Sequence, residues 1–133
     1  MSQENVETIK RACEAWGTGD ISIYREMYAH DVIAYAGSLA PEVTGELEGR
    51  DQVMDILESF LETFEYSELL PGEFIDRGDV VIAVMRIRAV GRGSGAPVAM
   101  RSADVYTVAK GRVVRHVGYP NADEALEAAG LSE

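Results

Sequence analysis

The hydrophobic period of the sequence changes about halfway along the chain, and this change restricts the folds that the chain can adopt. Before residue 65, two long segments place apolar residues three or four positions apart, as along one face of an α-helix. After residue 65, apolar residues alternate with polar ones or form short runs bounded by glycine, as in β-strands. Helices followed by consecutive strands favour an α+β fold with a largely antiparallel sheet over alternating βα units.

The first half of the chain predicts three helices and one strand. The helices span about Gln3–Trp16, a short segment over Tyr24–Tyr28, and about Arg50–Phe64. Val32–Ala36 is apolar and partly β-branched, which favours a strand. Residues 38–49 contain proline and glycine and are predicted to form a loop with room for one short strand.

The second half predicts four strands and a final helix. The strands span about Tyr66–Asp76, Asp79–Val90, Val98–Ala109 and Arg112–Tyr119. Pro71-Gly72 interrupts the first of these strands, and Lys110-Gly111 is expected to form a hairpin turn before the last. Asn121 with Glu124 resembles a capping box at the start of the helix, and Gly130 suits its C-terminal cap.

Composition excludes several classes of function. The length of 133 residues predicts one domain over residues 1–133. Twelve Lys+Arg against 23 Asp+Glu give a formal charge of −11, the opposite sign to that of a nucleic-acid binder. No apolar run suits a membrane span or a signal peptide, so we expect no membrane partner and a cytoplasmic location. One cysteine precludes an internal disulfide, and two histidines without ligand spacing make a metal or other cofactor unexpected.

Several short phrases along the chain carry a family resemblance. They are EAWGTGD (14–20), MYAHDV (27–32), GRDQV (49–53), DVYTVAKGRVVR (104–115) and DEALEAAGL (123–131). In this order and spacing the chain resembles the NTF2-like superfamily, specifically its SnoaL-like (polyketide cyclase-like) and ketosteroid isomerase-like branch. The resemblance implies a cystatin-like roll, in which a strongly curved, mostly antiparallel sheet forms a cone closed by the N-terminal helices around an apolar cavity. It also implies a homodimer and a small hydrophobic molecule as partner.

The isomerase chemistry of that family does not carry over to this chain. It uses a carboxylate base and an oxyanion hole made of a tyrosine and a protonated aspartic acid. The resemblance places the base at Ala36, the oxyanion tyrosine at Ala12 and a supporting tyrosine at Leu57, and all three are apolar. Only Tyr28 and Asp104 keep the family's residue types, so we do not expect steroid-type isomerase activity.

The arginines of the predicted strand Asp79–Val90 are not expected to be catalytic. The epoxide-hydrolase branch needs an Asp-Arg-Asp trio, and the matching positions here, Arg86, Arg88 and Gly118, lack both acids. Arg86 and Arg88 alternate with Met85 and are expected on the outer face, in solvent or in a dimer contact; binding of an anionic ligand is the alternative. The apolar run over residues 80–84 predicts burial on both faces, which fits cover by a second subunit.

Asp104 and His116 are the candidate catalytic residues. Asp104 shares a predicted strand face with Met100, Ser102, Tyr106 and Val108. A carboxylate on such a face is costly unless it is paired or neutral, a setting that suits general acid/base chemistry. A tight turn joins its strand to that of His116, so the two side chains are expected to be neighbours, with His116 as a proton shuttle. The alternative is that both residues are structural.

The cavity is expected to take a flat apolar ligand. Aromatic and methionine side chains that suit its wall are Trp16, Tyr28, Tyr35, Met85 and Tyr106. Two or three of the five are expected to touch the cavity, with Trp16 and Tyr28 as first choices because they sit on the helices that close it. Two functions remain open. One is a SnoaL-like enzyme of cyclase, isomerase or hydratase type that performs general acid/base chemistry on a small hydrophobic carbonyl compound. The other is a non-catalytic small-molecule-binding or dimerisation module on the same fold.

Overall fold

Helices come first and strands follow in the computed structural model, which describes residues 2–35 and 45–130. The elements in chain order are α1 Ser2–Trp16, α2 Ser22–Met27, β1 Tyr28–Tyr35, β2 Leu47–Glu48, α3 Arg50–Thr63, β3 Phe64–Arg77, β4 Val80–Gly91, β5 Pro97–Ala109, β6 Arg112–Tyr119 and α4 Ala122–Ala128. This order confirms the α+β class. Ala36 and most of the predicted loop 38–49 lie outside the described residues. No helix of the described part is long and apolar enough to cross a membrane.

The six strands form one open sheet with the order β2-β1-β6-β5-β4-β3. The pair β1 and β6 is parallel, and the other neighbouring pairs are antiparallel, which confirms a mostly antiparallel sheet. One face of the sheet packs against the N-terminal helices, since α1 lies on β3 and α3 lies on β1 and β3. The main hydrophobic core sits between these helices and the sheet.

The two faces of β4 are buried by different parts of the same chain. Val81, Ala83 and Met85 belong to the core under the N-terminal helices. Ile82 points the other way and packs with Ala125 of α4. The burial of Ile82 therefore needs no second subunit, which corrects the reason given above for the apolar run over residues 80–84.

The first strand begins earlier than the sequence pattern predicts. Tyr28, expected at the end of the second helix, has extended backbone angles of φ −81° and ψ 140° and is the first residue of β1. It pairs with Val113 of β6, and the register then shifts before Ile33. This pairing joins residues far apart in sequence, so local periodicity does not reveal it.

Strand β3 runs unbroken through the predicted interruption. Its register with β4 shifts between Pro71 and Glu73, so that Gly72 is an extra residue in the ladder. Proline is tolerated because β3 is an edge strand with a neighbour on one side only. The N–H that proline lacks is not needed for a ladder hydrogen bond on the free side.

A turn and a bulge between β5 and β6 together set the register of the strands that carry Asp104 and His116. Lys110 and Gly111 both have positive φ, at 54° and 78°, which is the backbone of a hairpin turn whose twist matches that of the strands. The turn pairs Ala109 with Arg112 and Val108 with Val113, and the register then shifts by one residue at Val114. Because of this shift Tyr106 lies opposite His116, and Asp104 lies opposite Gly118. The hairpin predicted at Lys110-Gly111 is therefore confirmed.

The cap of α4 is testable by substitution. The Asn121 side chain accepts from the Glu124 backbone N–H at 2.9 Å and donates to the Glu124 carboxylate at 3.0 Å. We expect Asn121→Ala to lower the free energy of unfolding by about 1 kcal/mol, because the first turn loses its acceptor. Urea denaturation measures this, with the exposed Glu127→Ala of the same helix as control. Equal stability of the two variants would contradict a stabilising cap.

Candidate functional site

A cavity of about 90 Å³ lies between the sheet and the N-terminal helices. One water needs roughly 10–15 Å³ of such space, so the cavity has room for about six to nine water-sized groups. All seven candidate residues from the sequence line it: Trp16, Tyr28, Tyr35, Met85, Asp104, Tyr106 and His116. Sequence reasoning missed nine further lining residues: Tyr24, Ala34, Leu47, Val53, Ile56, Leu57, Phe60, Leu69 and Ile87.

The hydrophobic sequence pattern of most of these missed residues is the same whether they fill a core or line a cavity. Val53, Leu57 and Phe60 form the apolar stripe of α3, and that stripe predicts burial without saying what it faces. Tyr24 lies on the buried side of α2 with Met27. Only tertiary packing leaves space in front of these side chains.

His116 is the centre of a hydrogen-bonded chain of four side chains. Its Nε2 lies 3.2 Å from Asp104 Oδ1, and its Nδ1 lies 2.8 Å from the Tyr28 hydroxyl. The other carboxylate oxygen of Asp104 accepts from the Ser102 hydroxyl at 3.1 Å. The chain therefore links β1, β6 and β5 in one polar cluster on the wall of the cavity.

Strand geometry explains why these side chains meet. Asp104 and Tyr106 lie two residues apart on β5, so they share a face, and His116 is the direct partner of Tyr106. The direct partner of Asp104 is Gly118, which has no side chain, so no neighbour on β6 separates the carboxylate from the imidazole. Tyr28 reaches the same face from β1, which pairs with the other edge of β6.

The cluster fixes the tautomer of His116. Burial, and then the charge of Asp104, raise the pKa of the Tyr28 phenol, so its hydroxyl stays protonated and donates to Nδ1. The proton of the neutral ring is then on Nε2, which donates to the Asp104 carboxylate. Asp104 accepts from two donors, as a buried carboxylate requires, and is 1% exposed.

Aromatic stacking holds the imidazole plane. The Tyr106 ring lies 4.2 Å from that of His116 at 28°, and the Tyr28 ring lies 5.9 Å away at 18°. The His116 side chain keeps 17% of its surface exposed, against 1% for that of Asp104. The ring is therefore fixed in orientation and is the more accessible of the two groups.

The polar atoms of Trp16 and Tyr35, two residues of the cavity wall, have hydrogen-bond partners within the chain. Trp16 donates its indole N–H to the Ser67 hydroxyl at 2.9 Å, and its ring packs edge-on against that of Tyr24. Tyr35 donates its hydroxyl to the Glu46 carboxylate at 2.6 Å. Both rings therefore present apolar surface to a ligand.

Charged groups other than the Asp104 and His116 pair are absent from the lining of the cavity as far as the described residues show. Arg86 and Arg88 are exposed on the opposite face of β4, where Arg88 lies 3.6 Å from the Glu68 carboxylate. An anionic ligand in the cavity would therefore meet neither arginine. Within residues 2–35 and 45–130, no cluster of three or more His, Cys, Asp or Glu side chains suits a metal ion.

Comparison with known proteins identifies the family. A family model described as a SnoaL-like domain matches residues 9–116. None of the curated proteins compared with the chain matches it.

Solved structures share the fold over nearly the whole chain. A candidate SnoaL-like polyketide cyclase from Jannaschia sp. CCS1 is 22% identical, with 99% of this chain and 94% of that chain covered and a TM-score of 0.77. An NTF2-like protein of unknown function from Burkholderia pseudomallei is 20% identical, with 93% and 95% covered and a TM-score of 0.76. A protein with a ketosteroid isomerase-like fold from Catenulispora acidiphila, in complex with trimethylamine, is 16% identical, with 95% and 94% covered and a TM-score of 0.74. At these identities the similarity supports the fold alone.

The tautomer of His116 can be measured directly. We expect the ¹⁵N chemical shifts of the imidazole to report a protonated Nε2 and an unprotonated Nδ1, because the Asp104 carboxylate can only accept from Nε2. In Asp104→Asn the side-chain amide can donate to Nε2 instead, and the ring is expected to carry its proton on Nδ1, where the Tyr28 hydroxyl accepts it. A wild-type ring with its proton on Nδ1 would contradict this assignment.

The buried phenols and thiol predict a loss of stability in alkali. Burial, and then the charges of Asp104 and Glu14, raise the pKa of the Cys13 thiol from 9.0 to about 12. Burial also raises the pKa of Tyr24, Tyr28 and Tyr106 above 10.0. The unfolded chain therefore loses these protons at lower pH than the folded one, and folding keeps their full contribution only below pH 9.0.

We accordingly expect the free energy of unfolding, measured by urea denaturation, to fall as the pH rises from 9.0 to about 12. In Cys13→Ala the fall should begin nearer 10.0, where the tyrosines of the unfolded chain ionise. A free energy of unfolding that stays constant across this range would show that these groups are not buried.

Proposed function

The chain belongs to the SnoaL-like domain family, and from this premise we propose that it is an enzyme that transfers protons on a small hydrophobic carbonyl compound held in the cavity. The observation that carries the proposal is the chain Tyr28–His116–Asp104, a hydrogen-bonded polar cluster on an otherwise apolar wall. Cyclisation by aldol attack, isomerisation and hydration each need a group that takes a proton and returns it.

Asp104 is the proposed acid/base. Its carboxylate accepts a proton from the carbon next to the ligand carbonyl, so the C–H bond breaks, an O–H bond forms, and the negative charge moves to the ligand as an enolate. The enolate then attacks a second carbonyl or is protonated at another position, and Asp104 returns the proton. Ser102 and His116 each bind one carboxylate oxygen, which leaves each oxygen a further lone pair for this step.

His116 is the proposed partner of Asp104. Its Nε2–H stabilises the carboxylate, and the hydrogen bond with Tyr28 keeps the ring from turning. The three groups therefore have distinct roles. Asp104 exchanges the proton, His116 pairs with Asp104, and Tyr28 orients the imidazole without taking a proton itself.

The cavity itself indicates the class of substrate. Its apolar wall favours a hydrophobic molecule, and the absence of a cationic side chain among the described lining residues favours an uncharged one. The Jannaschia structure, which shares the fold, carries the name of a candidate SnoaL-like polyketide cyclase, in keeping with this proposal.

Two other activities of the fold fit the site less well. Leu57 lines the cavity and Ala12 lies in the core, so neither position supplies the hydroxyl that steroid isomerisation uses. Arg86 and Arg88 lie on the opposite face of the sheet, and Gly118 has no carboxylate, so no Asp-Arg-Asp trio forms for epoxide opening.

A non-catalytic binding module is the second candidate. It is favoured by two observations: each polar side-chain group from Ser102 to Tyr28 already has a partner within the cluster, and Asp104 is 1% exposed. In that case the cluster only satisfies buried polar groups and shapes a binding cavity.

Hydrogen–deuterium exchange of a ketone distinguishes the proton-transferring enzyme from the binding module. We expect the protein to accelerate exchange of the methyl protons of acetophenone in D₂O, followed by ¹H NMR, and Asp104→Asn to lower this acceleration by about 10²-fold or more. The melting temperature should change little, because Asn accepts from Ser102 and donates to His116 once the ring adopts the other tautomer.

The matched control is Asp55→Asn, which removes an exposed carboxylate on α3 and should leave exchange unchanged. Wild-type exchange no faster than that of buffer, together with a lower melting temperature in Asp104→Asn, would support the binding module instead.

A further inference from the structure

Two tyrosines that line the cavity have hydroxyls without a partner among the described residues, whereas the other tyrosines and the tryptophan of the wall have one. The tryptophan and tyrosines that line the cavity are Trp16, Tyr24, Tyr28, Tyr35 and Tyr106. Ser67, His116 and Glu46 satisfy three of them, namely Trp16, Tyr28 and Tyr35. Across the described ranges, no hydrogen bond is made by the hydroxyl of Tyr24 or of Tyr106.

The two hydroxyls reach accessible space although their side chains are buried. Tyr24 is 5% exposed and Tyr106 is 4% exposed. Arg50 Nε is the one enclosed side-chain polar atom without a partner in the described part of the chain, so neither hydroxyl oxygen is fully enclosed. Both residues line the cavity, and a hydroxyl that faces an apolar cavity without a partner is costly unless water or a ligand binds it.

We propose that Tyr24 and Tyr106 are specificity-determining residues whose hydroxyls donate hydrogen bonds to the oxygen of an uncharged carbonyl ligand. This deepens the proposed function, on which it rests for the carbonyl class, by naming the groups that recognise the oxygen. It also predicts which analogues the cavity rejects.

The protonation state of the two phenols suits this role. Burial, above all, and the charge of Asp104 raise the pKa of both hydroxyls, so each carries its proton throughout the neutral range. A protonated phenol donates to a carbonyl oxygen. The same Asp104 charge opposes a carboxylate ligand, and no cationic lining residue of the described chain offsets it.

The position of Tyr106 places the bound oxygen beside the proposed base. Tyr106 is two residues from Asp104 on one face of β5, and its ring stacks on His116 at 4.2 Å. Tyr24 comes from α2, and its ring lies 6.3 Å from that of Tyr28. Donors from a helix and from the sheet hold a ligand at two points, which fixes its orientation toward Asp104.

Binding of three probes tests the proposal. Acetophenone is uncharged and has a carbonyl oxygen, α-methylstyrene has the same shape with a methylene group in its place, and benzoate is an anion. The indole N–H of Trp16, the single tryptophan in the sequence and a cavity residue, gives one NMR resonance that reports occupancy. We expect the wild type to bind acetophenone about tenfold more tightly than either α-methylstyrene or benzoate.

Phenylalanine substitutions identify the donors. We expect Tyr24→Phe and Tyr106→Phe each to weaken acetophenone binding about three- to tenfold and to leave α-methylstyrene binding unchanged. Their melting temperatures should be equal to the wild-type value or higher, because an unpaired hydroxyl is removed. Tyr119→Phe, which removes a hydroxyl on the other face of the sheet beside α4, is the matched control.

Equal binding of acetophenone and α-methylstyrene by the wild type would overturn the inference, and so would acetophenone binding that survives both substitutions. A lower melting temperature with unchanged binding would also overturn it, since the hydroxyls would then be structural. Discrimination between the probes without proton exchange would overturn the proposed catalysis and support the inference. Proton exchange without discrimination between the probes would overturn the inference and support the proposed catalysis.

Discussion

The carboxylate of Asp104, 1% exposed on the inner face of the sheet, is the constraint on which the rest of the site depends. A charge in that position is tolerated only where donors surround it. Ser102 supplies one donor from the same strand, and His116 supplies the other from the next strand. Tyr28 of β1 binds the second nitrogen of His116, so side chains of three strands form one cluster around the buried charge.

The same charge sets the electrostatics of the cavity. It adds to the effect of burial in keeping the surrounding phenols and the Cys13 thiol protonated, so the wall that the described residues form is neutral apart from the Asp104 and His116 pair. A neutral wall with a single proton acceptor suits proton transfer on a hydrophobic ligand better than the binding of an anion. The unpaired hydroxyls of Tyr24 and Tyr106 then supply the polar contacts that such a ligand needs.

Prediction from the sequence was most successful where local chemistry decides structure. The apolar stripe of α1, the capping residues around Asn121 and the turn at Lys110-Gly111 each act within a few residues, and the structure confirms all three. It was least successful where distant segments meet. The helical pattern continues to Tyr28, but pairing with Val113 makes that residue extended.

The sequence by itself determined the α+β order, the hairpin turn at Lys110-Gly111 and the aromatic character of the wall. The one-residue register shift at Val114, which brings Asp104 and His116 onto one face, became evident only in the structure. Tertiary structure alone decided which aromatic hydroxyls are satisfied, because their partners come from elements far apart in the chain. Tyr28 finds His116 across the parallel pair β1 and β6, whereas Tyr24 and Tyr106 find no partner among the described residues. A cavity is space that packing leaves unfilled, and residue patterns predict burial without distinguishing a filled core from an open one.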